Sequence, residues 1–180
     1  AFRNDLNAAS VLTRARNLTP RETIVTTEAG VYGRVNLYVW KTYQSGTYFD
    51  SSGANTMGYS VPAGIAASLV KPNQKTVSLV GDGGFLMRAG ELETATRLKL
   101  SPVIIVFDDG TLGMIRVKQR VKGYAREGVD LTQTNFVKLT ESFGGKGYEV
   151  NTLDQFDSAF KSALESDTLS VIDVRVEPET

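Results

Sequence analysis

The segment Val77 to Met114, VSLVGDGGFLMRAGELETATRLKLSPVIIVFDDGTLGM, decides how the rest of the chain is read. It holds two apolar runs, Val77-Ser78-Leu79-Val80 and Val103-Ile104-Ile105-Val106-Phe107, and each stops abruptly at Asp and Gly. Short, uninterrupted, β-branched runs of this kind are the pattern of parallel strands buried on both faces. Between them Leu86, Leu92, Ala95, Thr96 and Leu98 recur at helical spacing. Glu91 stands early and Arg97 and Lys99 stand late, as the helix dipole favours. The expectation is strand, turn, helix, strand: one right-handed crossover unit.

In such a unit both strands open at their carboxyl ends onto one edge of the sheet, where open α/β sheets bind ligands. Asp82 and Asp109 are therefore expected to face one another. Gly81, Gly83 and Gly84 allow backbone to approach a ligand closely and present N–H groups near a helix start, which favours phosphate. Two carboxylates beside a phosphate repel it unless a cation lies between, and hard oxygen ligands suit Mg²⁺. The expected site binds a diphosphate through a magnesium ion.

Gly81-Asp82-Gly83, followed 27 positions after Asp82 by Asp109 with Gly110 and Thr111 behind it, resembles the GDG…NN or ND motif of thiamin diphosphate-dependent enzymes. Gly53-Ala54-Asn55-Thr56-Met57-Gly58-Tyr59 is similar to the GxGTMGY segment of the acetolactate synthase and decarboxylase group. The likeness runs from about Thr23 to Val176. It implies that the chain is the diphosphate- and magnesium-binding domain, the C-terminal part of a longer 2-oxo acid decarboxylase or carboligase, a lyase or transferase. Asp82 and Asp109 would then ligate the metal by side chain and Thr111 by its backbone oxygen, with Gly83 and Gly84 N–H groups on the diphosphate. The resemblance further assigns to the cofactor the Asn55 carbonyl, Thr56, a wedge at Met57, and Leu112, Gly113 and Met114 beyond the second turn. After this strand end, at Glu28-Ala29-Gly30, the family touches the diphosphate, often through Gln and His, where this chain has Val31-Tyr32; Gly30 and Tyr32 are the cofactor-binding candidates here. Asp108, where the family tends to have Asn, reads as a turn-former. Gly113-Met114-Ile115-Arg116 and Asp130-Leu131 resemble acetolactate synthase-like enzymes more than pyruvate decarboxylases.

The same resemblance requires a glutamate on a pyrimidine-binding domain of a neighbouring subunit. Neither Glu28 nor Glu91 fits that role by motif, so no catalytic residue is assigned here, and the chain alone is expected to be catalytically silent. The implied partners are a 2-oxo acid, that pyrimidine-binding domain and a second copy in a homodimer or tetramer. Two other readings stay open. A dinucleotide-binding enzyme would use Gly81-x-Gly83, but the third glycine of G-x-G-x-x-G falls at Leu86. A non-catalytic dimerising module of the same fold is the other.

Composition agrees with borrowed chemistry. The 180 residues contain 41% hydrophobic side chains and 20 acidic against 20 basic ones, enough for one domain over residues 1–180 and no argument for nucleic acid. There is no cysteine to form a disulfide or act as nucleophile, and no histidine to act as a general base near neutral pH. The catalytic group is then expected to come from a cofactor. No apolar run has the length of a membrane span, so a soluble, cytoplasmic protein is expected. The start at Ala1-Phe2-Arg3 suggests a domain excised from a longer polypeptide.

The remaining segments fit around this centre. A helix capped by Asn4 or Asp5 carries Leu6, Ala9, Leu12 and Ala15 on one face and ends near Asn17. Thr23 to Thr27 is a strand stopping at Glu28-Ala29-Gly30, a third end on the ligand edge. Lys41 to Thr56 reads as a long loop, and Val61 to Val70 as a helix of small residues. Arg116 to Arg126 is a cationic run, either a solvated face or a lid for an anionic substrate. A helix at Asn135 to Phe143, a strand at Gly147 to Val150, a helix after Thr152 and a strand at Leu169 to Val176 follow. Alternating strands and helices predict a parallel, doubly wound α/β sheet with helices on both faces.

Overall fold

The computed structural model describes residues 6–51 and 53–177. Six parallel strands form one sheet in the order β2-β1-β3-β4-β6-β5. They are β1 (Ile24–Thr27), β2 (Tyr48–Asp50), β3 (Thr76–Gly81), β4 (Val103–Asp108), β5 (Lys146–Val150) and β6 (Ser170–Arg175). The central pair is the one read from the sequence: Val77 lies opposite Val103 and Gly81 opposite Phe107. Both runs, residues 77–80 and 103–107, are buried throughout because both faces of the sheet are covered, with Ser78 their one polar residue. Val103, Ile105 and Phe107 point into one core with Val77, Leu79, Leu12, Phe156 and Phe160, whereas Ile104 and Val106 join Val80, Val61, Phe85, Leu92 and Phe136 on the other side.

Helices α1 (Ala8–Leu18), α2 (Val31–Val39) and α8 (Leu153–Glu165) supply buried residues to the first core. The second core is covered by α3 (Ser60–Val70), α4 (Asp82–Arg88), α5 (Glu91–Arg97) and α7 (Phe136–Ser142). Helix α6 (Gly113–Val121) buries no residue. No helix among the described residues is long and apolar enough to cross a membrane.

Three local expectations are corrected and one unassigned helix is added. The segment between β3 and β4 is two helices, because the chain breaks at Ala89-Gly90; Leu92 and Ala95 are buried, but Leu86 and Leu98 are exposed. The stretch from Lys41 to Thr56 contains β2, a three-residue strand paired to the edge of β1, with Tyr48 packed against the core. Val31–Val39, left unassigned by periodicity, is helical. At the start, Asn7 is the cap of α1, its side chain accepting from Ser10 N at 3.1 Å while Ser10 Oγ accepts from Asn7 N. Leu6 precedes the helix but stays in the core together with Val11, and the helix runs on to Leu18. Asn4 and Asp5 lie outside the described residues.

Helix α3 approaches the sheet closely through its small residues. Thr26 Oγ1 donates to Ser78 Oγ (2.9 Å), Ser60 Oγ donates to the Thr26 carbonyl (2.9 Å), and Gly64 lies directly over this buried hydroxyl group cluster. A Cβ at Gly64 would stand 1.9 Å from Ser78 Oγ. Gly64→Ala is therefore expected to destabilise by about 1–3 kcal/mol through overpacking, and Ser78→Ala in the same chain to recover part of that loss. Urea unfolding of the two single variants and the double variant measures both.

Candidate functional site

Parallel register puts the ends of β1, β3 and β4 on one edge, at the point where the strand order reverses between β1 and β3. Asp82 follows Gly81 as the first residue of α4 and is 4% exposed. Its Oδ1 accepts from Gly83 N (2.6 Å), and its Oδ2 reaches across to accept from Gly110 N (2.8 Å) in the turn after β4. One carboxylate thus ties the two strand ends together. Gly84 N–H belongs to the first turn of α4 and has no carbonyl partner in its own helix.

The second turn is held by its own acids. Asp109 Oδ1 accepts from Thr111 N (2.9 Å) and Thr111 Oγ1 (3.0 Å), leaving Oδ2 without a hydrogen bond among the described residues. Asp108 forms the turn by accepting from Gly110 N (3.1 Å) and pairs through Oδ2 with Arg175 at the end of β6. Opposite the turn, Leu112 N donates to the Val129 carbonyl and Leu131 N to the Gly110 carbonyl, so residues 129–131 brace residues 110–112 from outside. Burial, and then the charges of Asp109 and Asp108, push Asp82 up to about 7 against the pull of the Gly83 N–H. Burial also raises Asp109, against the Thr111 donors and the Arg116 charge. Bringing these acids together is electrostatically unfavourable, and a cation at the pair offsets it.

Two further residues face the same space. Tyr32 lies in the first turns of α2, stacked on Phe107 at 4.9 Å. Its hydroxyl is buried and has no hydrogen-bond partner among the described residues. Burial raises this phenol well above its usual range, with the Glu28 charge adding to the rise and the Gly81 backbone N–H opposing it. Glu28, just after β1, is 5% exposed. Its two oxygens accept from Gly58 N (2.9 Å) and Ser60 N (2.8 Å). Burial raises its pKa against those two donors.

Together these groups surround a cavity of about 640 Å³. Gly30, Tyr32, Met57, Asp82, Gly83, Gly84, Asp109, Thr111, Leu112, Gly113 and Met114 line it, as does Glu28. Asn55 and Thr56 do not. They sit exposed on the turn before Met57, with Asn55 in the left-handed region at φ 50° and the Thr56 carbonyl accepting from Ser51 Oγ. Glu28 is the residue the sequence reading passed over. Its signal was present, since Glu28-Ala29-Gly30 repeats the acid-then-glycine ending of the other two strands.

Residues 28–174 match the family described as thiamine pyrophosphate enzyme, C-terminal TPP binding domain. The chain belongs to the thiamine pyrophosphate enzymes. Acetolactate synthase of Bacillus subtilis (strain 168) is 36% identical over 167 residues, covering 93% of this chain and 29% of that protein. The 3D-(3,5/4)-trihydroxycyclohexane-1,2-dione hydrolase of Lacticaseibacillus casei is 30% identical over 178 residues, covering 95% and 28%. Among solved structures, the thiamine diphosphate-dependent 4-hydroxybenzoylformate decarboxylase of Rhodococcus jostii RHA1 superposes with a TM-score of 0.90 at 28% identity, over 96% of this chain and 33% of that one. The TPP-binding domain is thus acetolactate synthase-like in sequence, and the chain spans a third or less of the length of each relative named here.

Beside the cofactor edge, the TPP-binding domain holds an acidic cluster about Arg175. Asp173, 1% exposed, has Arg175 Nη2 3.0 Å from its Oδ2, near enough for an ion pair but out of line for a hydrogen bond, so both its oxygens lack hydrogen-bond partners. Burial pushes Asp173 up to about 7 despite Arg175, with Asp108 and Glu149 adding to the rise. The unfolded carboxyl loses its proton near pH 4. Between about pH 4 and 7 the unfolded chain is ionised at this residue while the folded chain keeps the proton, so stability falls as pH rises through that window. Asp173→Asn is expected to raise the melting midpoint at pH 8 by at least about 3 °C, with the gain disappearing toward pH 4. Thermal melts of both proteins across that range check it.

Proposed function

We propose that this domain anchors the diphosphate of thiamin diphosphate through Mg²⁺, as part of a longer acetolactate synthase-like enzyme acting on a 2-oxo acid. The observation that carries the reading is the pair Asp82 and Asp109, two raised carboxylates on adjacent strand ends that line one cavity. The donor chemistry fits the metal. Among the described residues no group of three or more His, Cys, Asp or Glu side chains is placed to hold an ion. A site of two carboxylates and a backbone oxygen, completed by phosphate and water, is how Mg²⁺ is usually held. The fit extends to the anion, because the buried Tyr32 hydroxyl offers a donor in the same cavity, where the family often carries His.

When bound, thiamin diphosphate supplies the electron sink that lets a 2-oxo acid lose CO₂. The residues of this chain have other tasks. Asp82 and Asp109, with the Thr111 carbonyl, hold the metal; Gly84 N–H and Tyr32 Oη–H bind phosphate oxygens; Met57 fills the space beside the ring end, where an unbranched thioether packs well. Leu112, Gly113 and Met114 line the same cavity, and Asn55 and Thr56 form the rim in front of it. The proton-transferring glutamate comes, in this reading, from the pyrimidine-binding domain of a neighbouring subunit in a homodimer or tetramer.

In the full-length polypeptide, titration calorimetry is expected to show thiamin diphosphate binding in Mg²⁺ and none in EDTA. Two charges about 4 Å apart interact by roughly 4 kcal/mol at an effective dielectric of 20. Asp82→Ala should therefore abolish binding over the accessible concentration range. Asp109→Asn is expected to weaken Mg²⁺ while leaving the metal-saturated site able to take the cofactor. Equal affinity in Mg²⁺ and EDTA would contradict the assignment. The 180-residue chain alone is expected to release no CO₂ from pyruvate above the rate of free cofactor, and to gain activity when the pyrimidine-binding domain is added.

A further inference from the structure

We infer that Glu28 is a positioning residue for the cofactor: its carboxylate clamps the turn carrying Met57 against the glycine turn after β3, and thereby sets the wall on which the ring end of the cofactor rests. The inference rests on the proposed cofactor site and adds a residue to it.

The geometry is specific. Glu28 leaves β1 buried, and its two oxygens accept separately from Gly58 N (2.9 Å) and Ser60 N (2.8 Å). Ser60 is the first residue of α3, whose N-terminal flank, Tyr59, makes no side-chain cap. Glu28 thus supplies from another strand the negative charge and the acceptor that this helix start lacks. Gly58 has a φ of 75°, which a non-glycine residue adopts only with strain, so the turn is shaped to present its N–H to the carboxylate. Met57 immediately precedes it and lines the cavity.

On its other side the carboxylate meets the diphosphate half of the site. A Cβ on Gly84 would stand 1.9 Å from Glu28 Oε1, so this glycine leaves the room the acid occupies. The Met57 Cε is itself 3.4 Å from where a Cβ on Gly83 would lie. Glu28 therefore both packs against the glycine turn and holds the backbone behind Met57. Both its oxygens are engaged by backbone N–H groups, which marks it as a fixed acceptor rather than a proton carrier.

A glutamine at this position keeps the shape against Gly84 but turns an NH₂ toward one of the two N–H donors. One hydrogen bond is lost and a buried donor is left unpaired. If the clamp acts on Met57, the loss falls on the ring end of the ligand and spares the diphosphate end.

The test uses the full-length polypeptide with saturating Mg²⁺ and two probes, thiamin diphosphate and inorganic pyrophosphate, titrated by calorimetry. Glu28→Gln is expected to weaken thiamin diphosphate by about tenfold or more while pyrophosphate stays within about twofold. Gly58→Ala, which disturbs the same turn with Glu28 intact, should give the same selective loss, and it serves where Glu28→Gln does not fold. Met57→Ala should cost less in the Glu28→Gln background than in the wild type. Equal weakening of both probes, as a general loss of stability would produce, overturns the clamp while leaving the cofactor site in place. Unchanged affinity for both probes overturns it as well. A wild-type protein that binds neither probe in Mg²⁺ overturns the cofactor site and the clamp with it.

Discussion

The Asp82 carboxylate, stretched between the N–H of Gly83 and the N–H of Gly110, is the contact on which the site depends. It exists only because β3 and β4 run parallel in a register that sets Gly81 beside Phe107, so that both chains turn at the same level. That register is in turn enforced by burial on two faces. A slip by one residue would exchange Ile104 and Val106 with Ile105 and Phe107 between two filled cores. Ordinary apolar packing therefore fixes the spacing of two acids that would otherwise repel. The fold supplies the energy needed to hold an unfavourable charge arrangement, which the proposed cation would offset.

The central part of this was legible in the sequence because its signals are local. Two uninterrupted β-branched runs, each ending in Asp and Gly, give strand, topology and ligand edge together, and the structure places Asp82 and Asp109 on one cavity. What escaped was set by distant partners. Tyr48–Asp50 is a strand only because the edge of β1 pairs with it. The helix expected from Leu86 to Leu98 is broken at Ala89-Gly90, and Leu86 and Leu98, which fit the stripe, are each 39% exposed rather than buried. Glu28 looked like a strand-end acid of no assigned role, since Gly58 and Ser60, which it holds, lie some thirty residues further along. The ion pair between Asp108 and Arg175 spans 67 positions and has no local signature.

Three strand ends contribute an acid each, and their environments separate their tasks. Glu28 is saturated by backbone donors on both oxygens, Asp82 bridges two turns, and Asp109 keeps one oxygen uncommitted among the described residues. Each Asp82 oxygen accepts one N–H and keeps a second lone pair, so in the proposed site Asp82 can still receive a metal beside the open oxygen of Asp109. Asp108 is paired with Arg175, which in the proposed site leaves the ligand position to its neighbour. The four carboxylates at this edge thus have distinct surroundings rather than forming a cluster of equivalent ones.

Diffraction from crystals of the full-length polypeptide grown with thiamin diphosphate and Mn²⁺, collected at the manganese edge, tests the central claim most directly. The account predicts one anomalous peak within about 2.0–2.3 Å of Asp82 and Asp109 carboxylate oxygens and of the Thr111 carbonyl, with the diphosphate completing its coordination. Manganese bound elsewhere, or cofactor density in this cavity with no metal between the two acids, would contradict it.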